Sequence, residues 1–145
     1  MDLVLRSQTQ KDYFSKSRYI KELKPTDFDE IETYKLQAFV PKSNFTFVMF
    51  YAPWCKYCKE TKEMWEILST VSKEIGFSTI ASMNCEKFKV HAMKMNMDYR
   101  HRHKNPLILT YPTLVLYKDS VPFKTFKQQR TIDNLLNFCI KNCKK

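Results

Sequence analysis

Residues 45–51 read Phe-Thr-Phe-Val-Met-Phe-Tyr, seven positions without a charge in a chain whose 145 residues are 28% charged. An unbroken run of aromatic and β-branched residues describes a strand covered on both faces, since a strand with one wet face alternates polar and apolar residues. Such a strand needs a layer above it and a layer below it. The following residues supply one of them. From about Trp54 to Ile75, Met64, Ile67, Leu68, Val71 and Ile75 recur at helical spacing, opposite Lys59, Lys62, Glu66 and Lys73. A buried strand passing straight into a long amphipathic helix places the chain in the α/β class.

Gly76, the single glycine, follows that helix as a C-terminal cap, so other turns depend on Asp, Asn, Ser and Pro. Tyr19 to Leu23 reads as a short strand. Thr26 is placed to cap a helix carrying Phe28, Ile31, Tyr34, Leu36 and Phe39, closed by a loop from Pro41 to Asn44. Ser78 to Cys85 reads as a second buried strand and Glu86 to about Tyr99 as a helix. Leu114 to Tyr117 and Phe123 to Phe126 flank a loop from Lys118 to Pro122 as a hairpin without glycine, and Thr131 opens a last helix with Ile132, Leu135, Leu136, Cys139 and Ile140 in one stripe. This order predicts a central mixed β-sheet flanked by helices on both faces. With 43% hydrophobic and 14% aromatic residues, the chain suits one domain, residues 19–145, preceded by a polar arm, residues 1–18, that is loosely held or a short accessory helix.

Lys and Arg outnumber Asp and Glu by 25 to 15, a formal net charge of +10. That field favours acidic partners without naming one. Only Arg100 to Lys104 forms a dense basic run, and five residues read as a solvated loop rather than a nucleic-acid interface. No stretch reaches the ~20 apolar residues of a membrane span, and no basic-then-apolar leader opens the chain. The expectation is an intracellular, cytoplasmic monomer that binds no membrane, or a protein packaged in a virion if the lysine-rich, glycine-poor composition reflects a large virus.

Five cysteines cannot all pair within one chain. Cys55-Lys56-Tyr57-Cys58 stands at the strand-to-helix junction, with Pro53 and Trp54 in the turn. Unpaired N–H groups and the positive end of the helix dipole favour a thiolate there, most directly at Cys55, and Lys56 adds a cation. Both sulfurs fall within one turn. Cys55 is therefore expected as nucleophile and Cys58 as the thiol that resolves a mixed disulfide. Such a pair could instead be two unrelated core cysteines or half of a structural zinc site, and the latter usually requires four ligands. The other close pair, Cys139 and Cys143, lies too far along its helix to join: Cys139 is about 13 Å beyond Arg130 at ~1.5 Å per residue. No metal is assigned, and His101 and His103 read as solvated. Cys85 and Cys139 are expected in the core, Cys143 near the end is open to intermolecular disulfides, and the seven methionines read as core fillers.

The segment Phe50-Tyr51-Ala52-Pro53-Trp54-Cys55-Lys56-Tyr57-Cys58-Lys59 resembles the active-site segment of protein disulfide isomerase a-type domains and of thioredoxins. Tyr111-Pro112-Thr113 resembles the cis-proline loop of the same superfamily, and Asn84-Cys85 the end of the strand before it. The resemblance spans about Tyr19 to Asn142. It implies the thioredoxin fold and a thiol-disulfide oxidoreductase acting on disulfide-containing or dithiol protein clients, in exchange with a thiol reductant or oxidant. It implies no cofactor beyond the redox-active disulfide Cys55 to Cys58. Pro112 would lie against the cysteine pair and the Tyr111 backbone would receive an extended client segment. Trp54, Lys56 and Tyr57 would frame the sulfurs, and Arg130 would promote ionisation of Cys58.

The chain also departs from the family pattern. Met49 stands where the family has a buried acid, and Val115 where disulfide isomerase domains are expected to carry the lysine that pairs with it. Losing both charges leaves nothing unpaired, yet it removes a proton acceptor for Cys58 and implies slower resolution of the mixed disulfide. Lys56-Tyr57 is neither the Gly-Pro of thioredoxins nor the Gly-His of disulfide isomerases, so the direction of electron flow stays open. A binding, chaperone or assembly module with little redox turnover is the competing function. The segment from Arg100 to Thr110 is longer than its family counterpart. It either borders the client groove or packs its apolar end, Pro106 to Leu109, on the core.

Overall fold

The computed structural model describes residues 11–37 and 44–144. Its strands are β1 (Ile20–Glu22), β2 (Phe45–Tyr51), β3 (Thr79–Asn84), β4 (Thr113–Lys118) and β5 (Val121–Thr125), and its helices are α1 (Lys56–Ile75), α2 (Lys89–Arg100) and α3 (Ile132–Asn142). They form one five-stranded sheet in the order β1-β3-β2-β4-β5. The uncharged run is β2, all seven residues buried, parallel to β3 on one side and antiparallel to β4 on the other. Phe47, Met49 and Tyr51 point to one face, where α1 contributes Trp65 and Leu68 and α3 contributes Leu135, Phe138 and Cys139. Val48 and Phe50 point to the other, against Ala92 and Met95 of α2. Helices therefore cover both faces of a mixed sheet, as expected.

Local chemistry ends α1 and opens α3 where the sequence suggests. Gly76 takes a left-handed φ of 81° after α1 and its N–H bonds the Ser72 carbonyl at 2.6 Å. Thr131 caps α3, its hydroxyl accepting from Asn134 N–H at 3.1 Å. The glycine-free hairpin turns more tightly than the expected loop from Lys118 to Pro122: Lys118 ends β4, Val121 and Pro122 belong to β5, and only Asp119 and Ser120 make the turn, both at positive φ, 50° and 71°, the conformation that a twisted two-residue turn requires.

Three further expectations need correction. Among the described residues no helix follows Thr26: Pro25–Asp27 make one 3-10 turn and the chain runs on irregularly to Gln37. Side chains there hold the N–H groups that a helix would use. Asp27 accepts from Lys24 N–H at 2.9 Å, and Asp29 accepts from Ile31 and Glu32 N–H at 2.8 and 2.9 Å. Phe28, Tyr34 and Leu36 are buried as separate anchors, Phe28 and Leu36 forming an isolated bridge, while Ile31 is exposed. Phe39 and Pro41 lie outside the described residues.

The buried face of α1 is also rotated from the one expected, running through Cys58, Thr61, Trp65, Leu68 and Ser72 and leaving Ile67 and Ile75 exposed. Hydroxyls are admitted because each finds an acceptor: Thr61 donates to the Tyr57 carbonyl at 2.8 Å, Ser69 to the Glu66 carbonyl at 2.6 Å and Ser72 to the Ser78 carbonyl. Finally, Met49, Met83 and Met95 fill the core, but Met93 and Met97 are exposed on α2 beside Val90. With Ala92 and Met95 taking the inward positions of a short helix, no third row reaches the sheet.

Candidate active site

Cys55 is the N-cap of α1, and Cys58 sits on the first turn with its side chain inward. Cys55 keeps 8% of its surface while Cys58 keeps none, so only the first sulfur meets a partner from outside. Both are free thiols. The turn that delivers them is closed by Cys55 N–H bonding the Ala52 carbonyl at 3.0 Å. Across from it the Tyr111-Pro112 bond is cis, and the Cys55 thiol donates to the Tyr111 carbonyl at 3.3 Å.

Burial pushes the Cys58 thiol up to about 12, with the hydrogen bond to Cys55 adding to the rise; the Ala52 backbone and the Arg130 charge work against it. Arg130 reaches the pair from just before α3, its guanidinium 5.8 Å above the Tyr57 ring. Trp54 and Tyr57 are exposed on either side of Cys55, and Lys56 is exposed beside it. Trp54 is held at both ends. Its ring meets Tyr111 edge-on at 6.3 Å and its Nε1–H donates to Glu86 at 3.2 Å. Asn84 holds Glu86 in turn, its side-chain oxygen accepting from Glu86 and Lys87 N–H at 3.1 and 3.0 Å.

Every site residue singled out from the sequence therefore gathers at one end of the sheet, at the carboxyl end of β2. The sequence profile of the thioredoxin family matches residues 27–141. The chain belongs to the thioredoxin family. It is 29% identical over 117 residues to protein disulfide-isomerase 1 of Dictyostelium discoideum, an alignment covering 80% of this chain and 28% of that protein. To the protein disulfide-isomerase of Oryctolagus cuniculus it is 30% identical over 122 residues, 82% of this chain and 20% of the other. This thioredoxin-family chain thus spans about a quarter of the length of those relatives. Among solved structures, human ERp44 superposes with a TM-score of 0.66 at 22% identity, covering 92% of this chain and 32% of that one. A mutant thioredoxin from Halobacterium salinarum does so with 0.59 at 17% identity, covering 87% and 91%.

The expectation about the interior of this thioredoxin-family chain is corrected in two ways. Val115 is registered with Val48 and packs on the opposite face of the sheet from Met49, so positions 49 and 115 do not face each other. The neighbours that share the Met49 face are Leu114 on β4 and Ser82 on β3. Nor is that face free of carboxylate. Glu22, paired with Ser82 from the far side of β3, accepts from the Ser82 hydroxyl, from Tyr51 OH at 2.5 Å and from Phe14 N–H at 3.3 Å. Its oxygens bond to these groups rather than to a sulfur.

Sequence patterning missed Glu22 because its strand is three residues long, too short to show a period. It also missed the end of the arm. Tyr13 stacks on Tyr51 with ring centres 4.4 Å apart, and its hydroxyl donates to the Pro53 carbonyl at 2.8 Å, two residues before Cys55. Phe14 is buried against the same tyrosine, edge-on at 5.9 Å. The one signal available was the adjacent aromatic pair in an otherwise polar stretch.

Burial is the main influence on Glu22 and raises its carboxyl above the ordinary 4.5, with the three hydrogen bonds opposing. The folded chain then holds the proton more tightly than the unfolded chain. The resulting stability is complete below 4.5 and is lost as pH rises through the folded value. Urea unfolding across pH 4–8 should show wild type losing stability with rising pH relative to Glu22→Gln, which lacks that titration. Parallel profiles would exclude Glu22 as the source.

Proposed function

We propose that the chain is a protein thiol-disulfide oxidoreductase working through the Cys55 and Cys58 dithiol. The observation that carries this reading is the cysteine at the start of α1 with its sulfur 3.3 Å from the carbonyl before cis Pro112. A client segment lying along the Tyr111 backbone brings its disulfide to Cys55. The Cys55 thiolate attacks one client sulfur, forming a mixed disulfide and releasing the other client sulfur as a thiolate that takes up a proton. Cys58 then loses its proton and attacks the Cys55 sulfur. The first client sulfur leaves, and the Cys55–Cys58 disulfide carries the two electrons' worth of oxidation. Run backwards, the same steps oxidise a client dithiol.

The roles divide by position. Cys55 is the sulfur that a client reaches; Cys58 is sealed, so it reacts within the complex. Because burial disfavours the Cys58 thiolate, resolution needs help, and the Arg130 charge supplies it by stabilising that thiolate. Trp54 and Tyr57 offer apolar walls to the client, and the dithiol itself is the redox group, with a thiol of the surroundings completing the cycle. The relatives named protein disulfide-isomerase support protein clients as the substrate class. Insulin reduction driven by dithiothreitol and reoxidation of a reduced, unfolded disulfide protein test the proposal directly. The chain should accelerate at least one of them at catalytic concentration; acceleration of neither returns it to a binding or assembly role.

A further inference from the structure

Two open grooves lie beside the site, one bordered by Pro112 and the other by Pro53 and Trp54. The first, of about 750 Å³, starts at Pro112 and Thr113 and runs between the segment at 103–110 and residues 125–130. Its fixed charges are Lys104, Lys127 and Arg130, and no acid among the described residues lines it. Leu109, 74% exposed, gives it an apolar wall, while Leu107 and Ile108 are buried and Asn96 holds both backbone groups of Ile108, at 2.8 and 2.9 Å. The long segment thus does both things open to it: it packs on the core and it borders the groove.

The second groove, of about 710 Å³, opens on the other side of Trp54, between the end of the arm and α1. Lys11, Lys16, Lys59 and Lys62 line it, and the one acid among the described residues of its wall, Asp12, is paired with Lys87 at 3.3 Å. At the chain's proportion of 25 basic to 15 acidic residues, the eight charged wall residues would include about three acids. They include one, already neutralised. Glu60 lies beneath Tyr57 in a separate shallow depression that also holds Arg130. Outside these walls Glu86 stands at the site, bonded to Trp54, but the walls themselves are richer in positive charge than the chain as a whole.

We propose that the grooves seat an extended acidic segment of the client, with aspartates and glutamates on both sides of its reacting cysteine. This rests on the exchange reaction proposed for Cys55 and Cys58. Concave walls of one sign focus the potential and raise the encounter rate of oppositely charged segments, an effect that salt suppresses. Leu109 and Trp54 supply the apolar contact that such a segment needs beside its charges. The opposite preference would place lysines against lysines at the mouth of the site.

The test uses two peptides, each with one cysteine linked by a disulfide to 2-mercaptoethanol, one flanked by Asp and Glu and the other by Lys and Arg. Each rate is divided by that peptide's rate with dithiothreitol alone, which removes the effect of the flanks on the sulfur's own reactivity. The normalised kcat/KM should favour the acidic peptide by about tenfold at low salt and approach parity near about 0.5 M salt. Lys104→Glu combined with Lys127→Glu should reduce that ratio. Equal normalised rates, or a ratio unmoved by the charge reversal, would overturn the inference. The same peptides with serine for cysteine, titrated against Trp54 fluorescence, separate binding from chemistry. Selective binding of the acidic peptide with no turnover of either reactive peptide overturns the redox reading alone, whereas equal binding of the two overturns this inference.

Discussion

Cys58→Ser should turn the protein from a catalyst into a trap. With Cys55 intact, attack on a client disulfide proceeds, but the mixed disulfide has no internal thiol to resolve it. Intramolecular attack by a well-placed group corresponds to effective concentrations of about 10⁵ M or more, so even a far less ideal Cys58 outcompetes millimolar external thiol by about three orders of magnitude. Multiple-turnover reduction should fall by about a thousandfold at low external thiol and recover in part as dithiothreitol is raised. Mass spectrometry should detect the client joined to Cys55. Cys55→Ser should give no adduct and no catalysis, because the remaining Cys58 is sealed and burial holds its thiol above the ordinary range. An adduct on Cys58 in that variant, or undiminished turnover in either, would show that the sulfurs have other roles.

Trp65→Ala should cost about 3–5 kcal/mol of folding stability, the range for deleting a large buried aromatic ring. Trp65 is fully buried two turns beyond Cys58, packs on Phe47 with ring centres 4.8 Å apart, and donates Nε1–H to the Ala81 carbonyl at 3.0 Å. It thereby ties the helix that carries the cysteines to both β2 and β3. For a domain whose total stability is of the order of 5–15 kcal/mol, the loss would be visible as a large fall in the urea midpoint. Trp65→Phe keeps a ring against Phe47 and gives up the hydrogen bond and part of the volume, so it should cost about 1–2 kcal/mol. Equal midpoints for wild type and Trp65→Ala would mean that α1 is held by other contacts.

Elements whose pattern is carried by their own residues were legible in advance. The β2 run, the α1 length, the Gly76 cap and the Thr131 cap each depend on chemistry within a few residues. The residues after Thr26 misled because Phe28, Tyr34 and Leu36 are buried by distant parts of the sheet: Tyr117 OH bonds the Tyr34 carbonyl at 2.9 Å, and Leu36 N–H bonds the Ser120 carbonyl at 3.0 Å. Spacing along the chain is blind to such partners. The rotated face of α1 has the same origin, since a buried serine is recognisable only once its acceptor is known.

The cysteine pair at a strand-to-helix junction and the proline loop that serves it could be read from the chain alone, because local chemistry and motif spacing specify both. What surrounds them could not. Tyr13 reaches the turn before Cys55 from 40 residues away, Glu22 enters the interior beside Ser82 from across β3, and Val115 proves to lie on the opposite face from Met49. The reason is physical. A sheet brings side chains together by strand order and register, and those depend on non-local hydrogen bonding that no window of sequence contains.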